Sequence, residues 1–321
     1  MKLTKFEKLF QHHKFSMMKV GTIAAVLYTL VAGVQCFSVN SAVSSISLKT
    51  DTPISVAAQP LIGTYQRGHN FQLKATTSKP SSSDLELDTE AVAKYGISLV
   101  AQLSLIAGFF YGIDSVLAST GGNTVLPTPV TWFICYAFSL KSRTFNPLNN
   151  ARPDREKAMK EGKSDGFKDR NQPSWTPPGV VFPIMWLLII GPLRATSATM
   201  VIESLGGYLS LPLMSLMLHL SCGDIWNTIN NTEKRYGTAV LGIVTVYVSA
   251  LHAAWRFYQV DPMAGKLLGA TSIWLTIAGT LIFEIWRLNP NENGEKDSFL
   301  PVKAIGEDSI TKFSWGSKNK D

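Results

Sequence analysis

The residues that could do chemistry in this 321-residue chain are few, and most of them stand inside apolar runs. Arg194, Asp224 and Glu284 each interrupt a stretch of membrane-grade hydrophobicity, as do Asp114 and His219. A charge within a membrane span costs about 2.5–3.5 kcal/mol even on a lenient scale, so such residues normally face the protein interior and find partners. Arg194 is therefore expected to pair with Glu203 or Asp224, while Asp224 and Glu284 also suit a hydrated position at the membrane interface. His219 lies five residues before Asp224 and faces elsewhere on the helix, as a hydrogen-bonded packing residue or a ligand contact. Trp186 and Trp274 are central enough to line a pocket or to fill a core, whereas Trp175, Trp255 and Trp286 suit interfacial anchors. Nothing resembles a catalytic set: no nucleophile stands beside a base, no glycine-rich phosphate loop occurs, and no spacing suits metal ligands. Cys36, Cys135 and Cys222 form no C-x-x-C pair, which removes a disulfide framework or a zinc site.

These side chains must be positioned by helices. The chain is 45% hydrophobic and only 17% charged, against about 25% charged in an average soluble protein. A span needs about 20 mainly apolar residues. Tyr95–Ser119, Gly179–Ser204, Tyr208–Trp226, Tyr236–Phe257 and Ala264–Trp286 meet or nearly meet that length. A sixth segment, Val125–Leu140, is short and carries Pro127 and Pro129, so hydropathy leaves the count at five or six. The expected fold class is all-α, a polytopic membrane helix bundle. Gly191-Pro192 removes a backbone donor from its helix and predicts a kink with a freed carbonyl. Gly265, Gly269 and Ala270 would let helices approach closely, within one chain or in a homodimer.

The net charge of +7 does not point to nucleic acid, because the basic residues sit in loops and tails between apolar runs. Lys141–Ser174 holds nine Lys and Arg, the next loop on that side holds Lys234 and Arg235, and the C-terminal tail adds six more. The positive-inside rule places these segments together on the side where the chain is made. They read as topology determinants, or as contacts for anionic lipid headgroups.

The first 83 residues read as an address. Lysines precede the apolar run Val20–Val34, which ends at Cys36 in the manner of a signal peptide. Residues 37–83 are rich in Ser and Thr and contain a single acid, Asp51, as transit peptides do. The pair resembles the two-part presequence of algae with secondary plastids; a signal anchor followed by a linker is the plainer reading. The division that follows is 1–36 signal peptide, 37–83 transit peptide or linker, and 84–174 the first helix or helices with the basic loop. Residues 175–290 then form the membrane core, and 291–321 a polar tail.

One stretch is far more specific. Trp175-Thr-Pro-Pro-Gly-Val-Val-Phe-Pro-Ile-Met-Trp186 places prolines where a helix can begin without losing bonds, and Trp286-Arg-Leu-Asn-Pro290 closes the last span. In order and spacing, this entry and exit resemble the TspO/MBR family of tryptophan-rich translocator proteins. The resemblance covers Trp175 to Pro290. It implies a five-helix core, with either Tyr95–Ser119 or Val125–Leu140 in the place of the family's first helix and the other as a possible additional helix. It implies a pocket near the Pro-Pro end of the second helix for a tetrapyrrole such as a porphyrin, a sterol or a synthetic aromatic ligand, and no required cofactor. The candidate ligand-binding residues are Phe182, Trp186, Arg194, His219, Asp224 and Trp274. The sequence also departs from the family. Val180 stands where a Trp is usual, Ala270 and Thr271 where Pro-Tyr is usual, and Gly223 and Ile282 where Asn is usual.

Three functions are consistent with this reading. The chain binds, and moves or buffers, a hydrophobic cyclic molecule in a plastid membrane, envelope or thylakoid; or it is a structural partner of other membrane complexes; or it degrades bound porphyrin. For the third, the sequence offers no catalytic residues.

Overall fold

The computed structural model describes residues 85–121, 124–141, 144–149, 170–290 and 294–314, all within one compact unit spanning Pro80–Asp321. The address segments 1–36 and 37–83 lie outside the described residues. Six helices follow in order: α1 (Thr89–Ser119), α2 (Thr128–Ser139), α3 (Val181–Leu205), α4 (Leu211–Asn227), α5 (Tyr236–Tyr258) and α6 (Pro262–Leu288). Two three-residue strands, β1 (Leu85–Leu87) and β2 (Val302–Ala304), pair antiparallel with Leu85 opposite Ala304.

The helices start where local chemistry lets them. Asp88 caps α1 by accepting from the Ala91 amide at 2.9 Å. Ser210 and Asp261 cap α4 and α6, each followed by a proline whose missing N–H would have been unsatisfied anyway. α3 ends at Gly206, whose φ of 67° is the left-handed conformation that a helix C-cap favours, and the Gly206 amide returns to Ile202 O at 2.8 Å.

The helices close a ring in the order α2, α3, α6, α5, α4, α1. Phe109 and Phe110 on α1 meet Phe138 on α2, with ring centroids at 5.4 and 5.0 Å. α5 and α6 make the closest hairpin, because Gly265 lies where a Cβ would fall 2.4 Å from Tyr258, and Gly269 faces Ala254. These small residues thus serve contact within the chain.

Polarity is inverted relative to a soluble bundle. Ile97, Leu105, Val116, Leu188, Val244, Val248 and Ile273 are exposed, while Ser98, Gln102, Arg194, Ser197, His219, Asp224 and Thr271 are buried. In water that arrangement is costly on both counts; in a bilayer it satisfies both. Among the described residues, α1, α3, α5 and α6 are long and apolar enough to cross a membrane, and α4 reaches span length with the π-helical continuation Thr228–Glu233. The polar run Asn227–Asn231 thus continues the helix rather than ending it.

The segment Val125–Leu140 does not form a sixth full span. α2 has 12 residues, a length of about 18 Å. From its end the described chain, Lys141 and then Thr144–Asn149, runs on without helix, and Asn146 and Leu148 are buried. Non-helical backbone is tolerated at membrane depth only where protein satisfies it. Here the Ser98 hydroxyl donates to Asn146 Oδ1 at 2.7 Å, and Asn146 Nδ2 donates to Asp224 O and Thr228 Oγ1 at 3.2 Å each. Phe145 stacks on Phe138 at 5.9 Å.

At the foot of this segment Lys141 is buried and paired with Asp224, within 3.4 Å of Gln102 Oε1. The first residue of the basic loop is thus a core residue. Arg235 and Arg170 behave similarly. Arg235 is buried between Asp88 and Glu233, and Arg170 packs 5.9 Å from the Tyr236 ring centroid.

Beyond α6 the tail folds back over this end of the ring as a strap. The Gly237 amide donates to Asp297 at 2.9 Å, and Trp286 Nε1 donates to Asp297 O at 2.8 Å. Ser309 donates to Asp88 at 2.9 Å, and Phe313 bridges to Leu148. Burial opposes ionisation of Asp88, but Arg235, the Ala91 amide and Ser309 outweigh it and hold the carboxyl below its ordinary 3.8.

Two predictions follow from these pairs. Asp224→Asn strands the Lys141 charge and should cost about 3–5 kcal/mol, whereas the double variant Lys141→Met with Asp224→Leu should regain most of that loss. Thermal unfolding in detergent checks this, and a double variant no better than the single would contradict it. The second concerns pH. A lowered Asp88 contributes stability that is fully present above its ordinary value and is lost as pH falls through its folded value. Hydrogen-exchange protection of Val302–Thr311, corrected for intrinsic rate, should therefore decrease as pH falls below 3.8, and protection that persists there would contradict this.

Candidate functional site

The site is built on α3, and α3 is not a uniform helix. Phe182, Trp186, Ile190 and Arg194 recur every four residues. On a regular helix such a row drifts by about 40° per step, so it would wind off the core. The stretch Met185–Ile190 is π-helical instead, with a wider turn that takes up the drift. Ile190 and Arg194 are consequently buried, and Phe182 and Trp186 pack partly buried against the core that also holds Ile282 and Ile285.

Pro192 explains how the π stretch is tolerated. With i→i+5 bonding, the carbonyl of Leu187 would look to the amide of residue 192, which proline lacks. The Tyr136 hydroxyl on α2 donates to Leu187 O at 2.8 Å. A Cβ at Gly191 would lie 2.9 Å from the Tyr136 ring, so the small residue lets α2 come close enough to do so. The carbonyl freed by Gly191-Pro192 is thus real, and a neighbouring helix takes it up.

Phe182 meets Trp274 of α6 edge to face, with centroids at 5.7 Å. Trp186 lies under the Arg194 guanidinium at 5.3 Å. Arg194 Nη2 is 2.6 Å from His219 Nε2 on α4, and His219 Nδ1 is 3.0 Å from Val246 O on α5. A carbonyl can only accept, so Nδ1 carries the proton and Nε2 offers its lone pair to the guanidinium. The ring is neutral and both nitrogens are occupied, which gives His219 the packing role and leaves it no free base. This chain of contacts ties α3, α4 and α5 together.

The six candidate residues therefore fall into two groups. Phe182, Trp186, Arg194, His219 and Trp274 form one connected surface across α3, α4 and α6. Asp224 belongs to the separate Lys141 cluster on the α1 side of α4. The expected pairing of Arg194 with Asp224 or Glu203 is not what the structure shows: Asp224 is held by Lys141, and Glu203 accepts from Thr128 at 2.6 Å. Glu284 pairs with the exposed Arg287 at 2.8 Å, in keeping with an interface position. Asp114 accepts from the amides of Tyr208 and Leu209 at 2.8 Å and so fixes the α3–α4 loop. Trp175 and Trp255 are exposed, whereas Trp226 and Trp286 donate to backbone carbonyls.

Two buried donors of this surface have no hydrogen-bond partner among the described residues: Arg194 Nε and Trp274 Nε1. An aromatic wall, one cation and spare N–H groups can hold a flat apolar molecule and orient its polar atoms. No group of three or more His, Cys, Asp or Glu suited to a metal occurs among the described residues. Sequence reasoning missed Tyr136, whose role depends on a contact between helices, and Lys141, which stands directly after an apolar run and so could have been read as a span residue.

A family model described as TspO/MBR family matches residues 155–287. The matched stretch holds α3 to α6; α1 and α2 precede it. The chain is 30% identical over 131 residues to Protein CrtK of Rhodobacter capsulatus, covering 39% of this chain and 79% of the relative. It is 32% identical over 125 residues to the tryptophan-rich sensory protein of Cereibacter sphaeroides, covering 39% and 77%. The translocator protein of Homo sapiens is 29% identical over 126 residues, covering 38% and 74%.

Tyr136→Phe removes the donor that Leu187 O has across the α2–α3 contact among the described residues. It should destabilise the protein by about 1–3 kcal/mol, the cost of leaving an acceptor unsatisfied where lipid offers no donor. A thermal-shift measurement in detergent checks it, and an unchanged midpoint would show that the carbonyl finds another partner.

Proposed function

This chain belongs to the TspO/MBR family, and from that premise we propose that it binds a flat hydrophobic ligand, a tetrapyrrole or a sterol, between α3 and α6, and moves or buffers it within a membrane. The observation that carries the proposal is the continuous surface of Phe182, Trp186 and Trp274, backed by the buried Arg194, which bonds to His219 and makes no ion pair among the described residues. Aromatic faces supply the stacking that a macrocycle needs, and the few polar groups supply orientation. The family positions changed to Val180, Ala270, Thr271, Gly223 and Ile282 alter the lining, so the pocket is retuned for its own ligand. Asp224 acts one layer away, by holding Lys141 and the non-helical segment that completes the α1–α2 side.

The chain is a multi-pass membrane protein. Its residues 1–83, read as signal and transit peptide, support a plastid membrane as its destination. The basic loop, the α4–α5 junction and the C-terminal tail would then face the stroma.

Titration of the full-length protein in detergent with protoporphyrin, followed by tryptophan fluorescence, tests this reading. Saturable quenching is expected, and Trp274→Phe should weaken the apparent affinity by about tenfold, ~1.4 kcal/mol. Absence of saturable quenching, together with co-purification of a membrane complex, would favour the assembly-partner reading instead.

A further inference from the structure

The interior of the bundle holds a cation without an ion-pair partner among the described residues, with Asp224 acting on it only from beyond contact distance. Lys141 and Asp224 neutralise each other. Arg194 is 4% exposed and makes no ion pair among the described residues. Its two contacts, the Trp186 ring at 5.3 Å and His219 Nε2 at 2.6 Å, are both uncharged. The bond from His219 Nδ1 to Val246 O fixes that neutrality, because a second proton on the ring would set two cations against each other. A guanidinium withdrawn from water without a counter-ion is among the costliest groups a membrane protein can carry. Arg194 also keeps a buried Nε–H donor unspent, and Trp274 Nε1–H is a second on the same aromatic surface.

Neutral ligands would leave this imbalance in place. A carboxylate would remove it, since the guanidinium edge matches a carboxylate in geometry and the resulting bonds are charge-assisted. The cation–π contact sets the guanidinium over Trp186, so an acid reaching Arg194 lays its apolar body along Trp186, Phe182 and Trp274. We infer that the site selects hydrophobic acids over their neutral counterparts, with Arg194 as the residue that reads the carboxylate and His219 as the residue that positions Arg194. This rests on the reading of the Phe182, Trp186 and Trp274 surface as a ligand site.

Protoporphyrin IX and its dimethyl ester share one macrocycle and differ only in the carboxylates, so they separate the two ideas. Titrated against the full-length protein in detergent at pH 7.5–8 (roughly, above ordinary carboxylate values), the acid should quench tryptophan fluorescence at about tenfold lower concentration than the ester, or better. In Arg194→Gln the two affinities should converge; in Arg194→Lys, which keeps the charge, most of the preference should remain. Equal affinities of acid and ester for the unaltered protein would overturn the inference while leaving the ligand site standing; this includes the case in which a free inorganic anion balances Arg194. Binding of neither compound would overturn both. Should Arg194→Gln fail to fold, the comparison on the unaltered protein and on Arg194→Lys still decides the matter.

Discussion

The contact between Arg194 and His219 is the interaction on which the arrangement of the core depends. It joins helices that otherwise touch little, α3 and α4, across the inside of the ring, and the imidazole carries the connection on to the backbone of α5. In a bilayer there is no hydrophobic drive to bring helices together, so close packing and interhelical hydrogen bonds must hold them. A hydrogen bond from a guanidinium is about twice as strong as one between neutral groups. It also sets direction: Arg194 can reach His219 only if α3 turns its Phe182–Trp186–Arg194 row inward, and the π-helical stretch makes that turn.

A second constraint shapes the other half of the ring. Every backbone polar group at membrane depth needs a partner inside the protein. α2 stops after 12 residues, and the chain covers the remaining depth in a non-helical segment. Ser98, Asn146, Thr228 and the Lys141–Asp224 pair exist in one cluster because that segment would otherwise expose carbonyls and amides to lipid. The same requirement appears on a smaller scale at Leu187, where Tyr136 stands in for the amide that Pro192 lacks. The strap from Asp297 to Ser314 closes this side from outside the membrane, joining the tail to the start of α1 and to the Pro147–Asn149 stretch.

These two halves divide the labour. The α1–α2–α4 side spends most of its buried polar groups on one another, and Lys141 and Asp224 balance each other's charge. The α3–α6 side keeps a cation without an ion-pair partner among the described residues and two spare donors beside three aromatic rings. The difference between them is what makes the second a candidate for binding and the first a frame.

The sequence alone determined the class of the protein, its membrane helices and its family. Those follow from short-range facts: apolar runs of span length, a proline pair at a helix start, and a Trp-Arg-Leu-Asn-Pro exit. It also marked Phe182, Trp186, Arg194, His219 and Trp274, because charged and aromatic residues inside spans are conspicuous by position alone. Which of them meet was decided by tertiary structure. Arg194 and Asp224 look like partners in the sequence, yet Asp224 faces Lys141, because α2 ends early and delivers a lysine to membrane depth. The length of α2 is itself a tertiary outcome, since its continuation is held through Asn146 by Ser98, Asp224 and Thr228 from distant parts of the chain. Pairing within a bundle depends on which helix faces turn toward each other, and hydropathy carries no information about rotation.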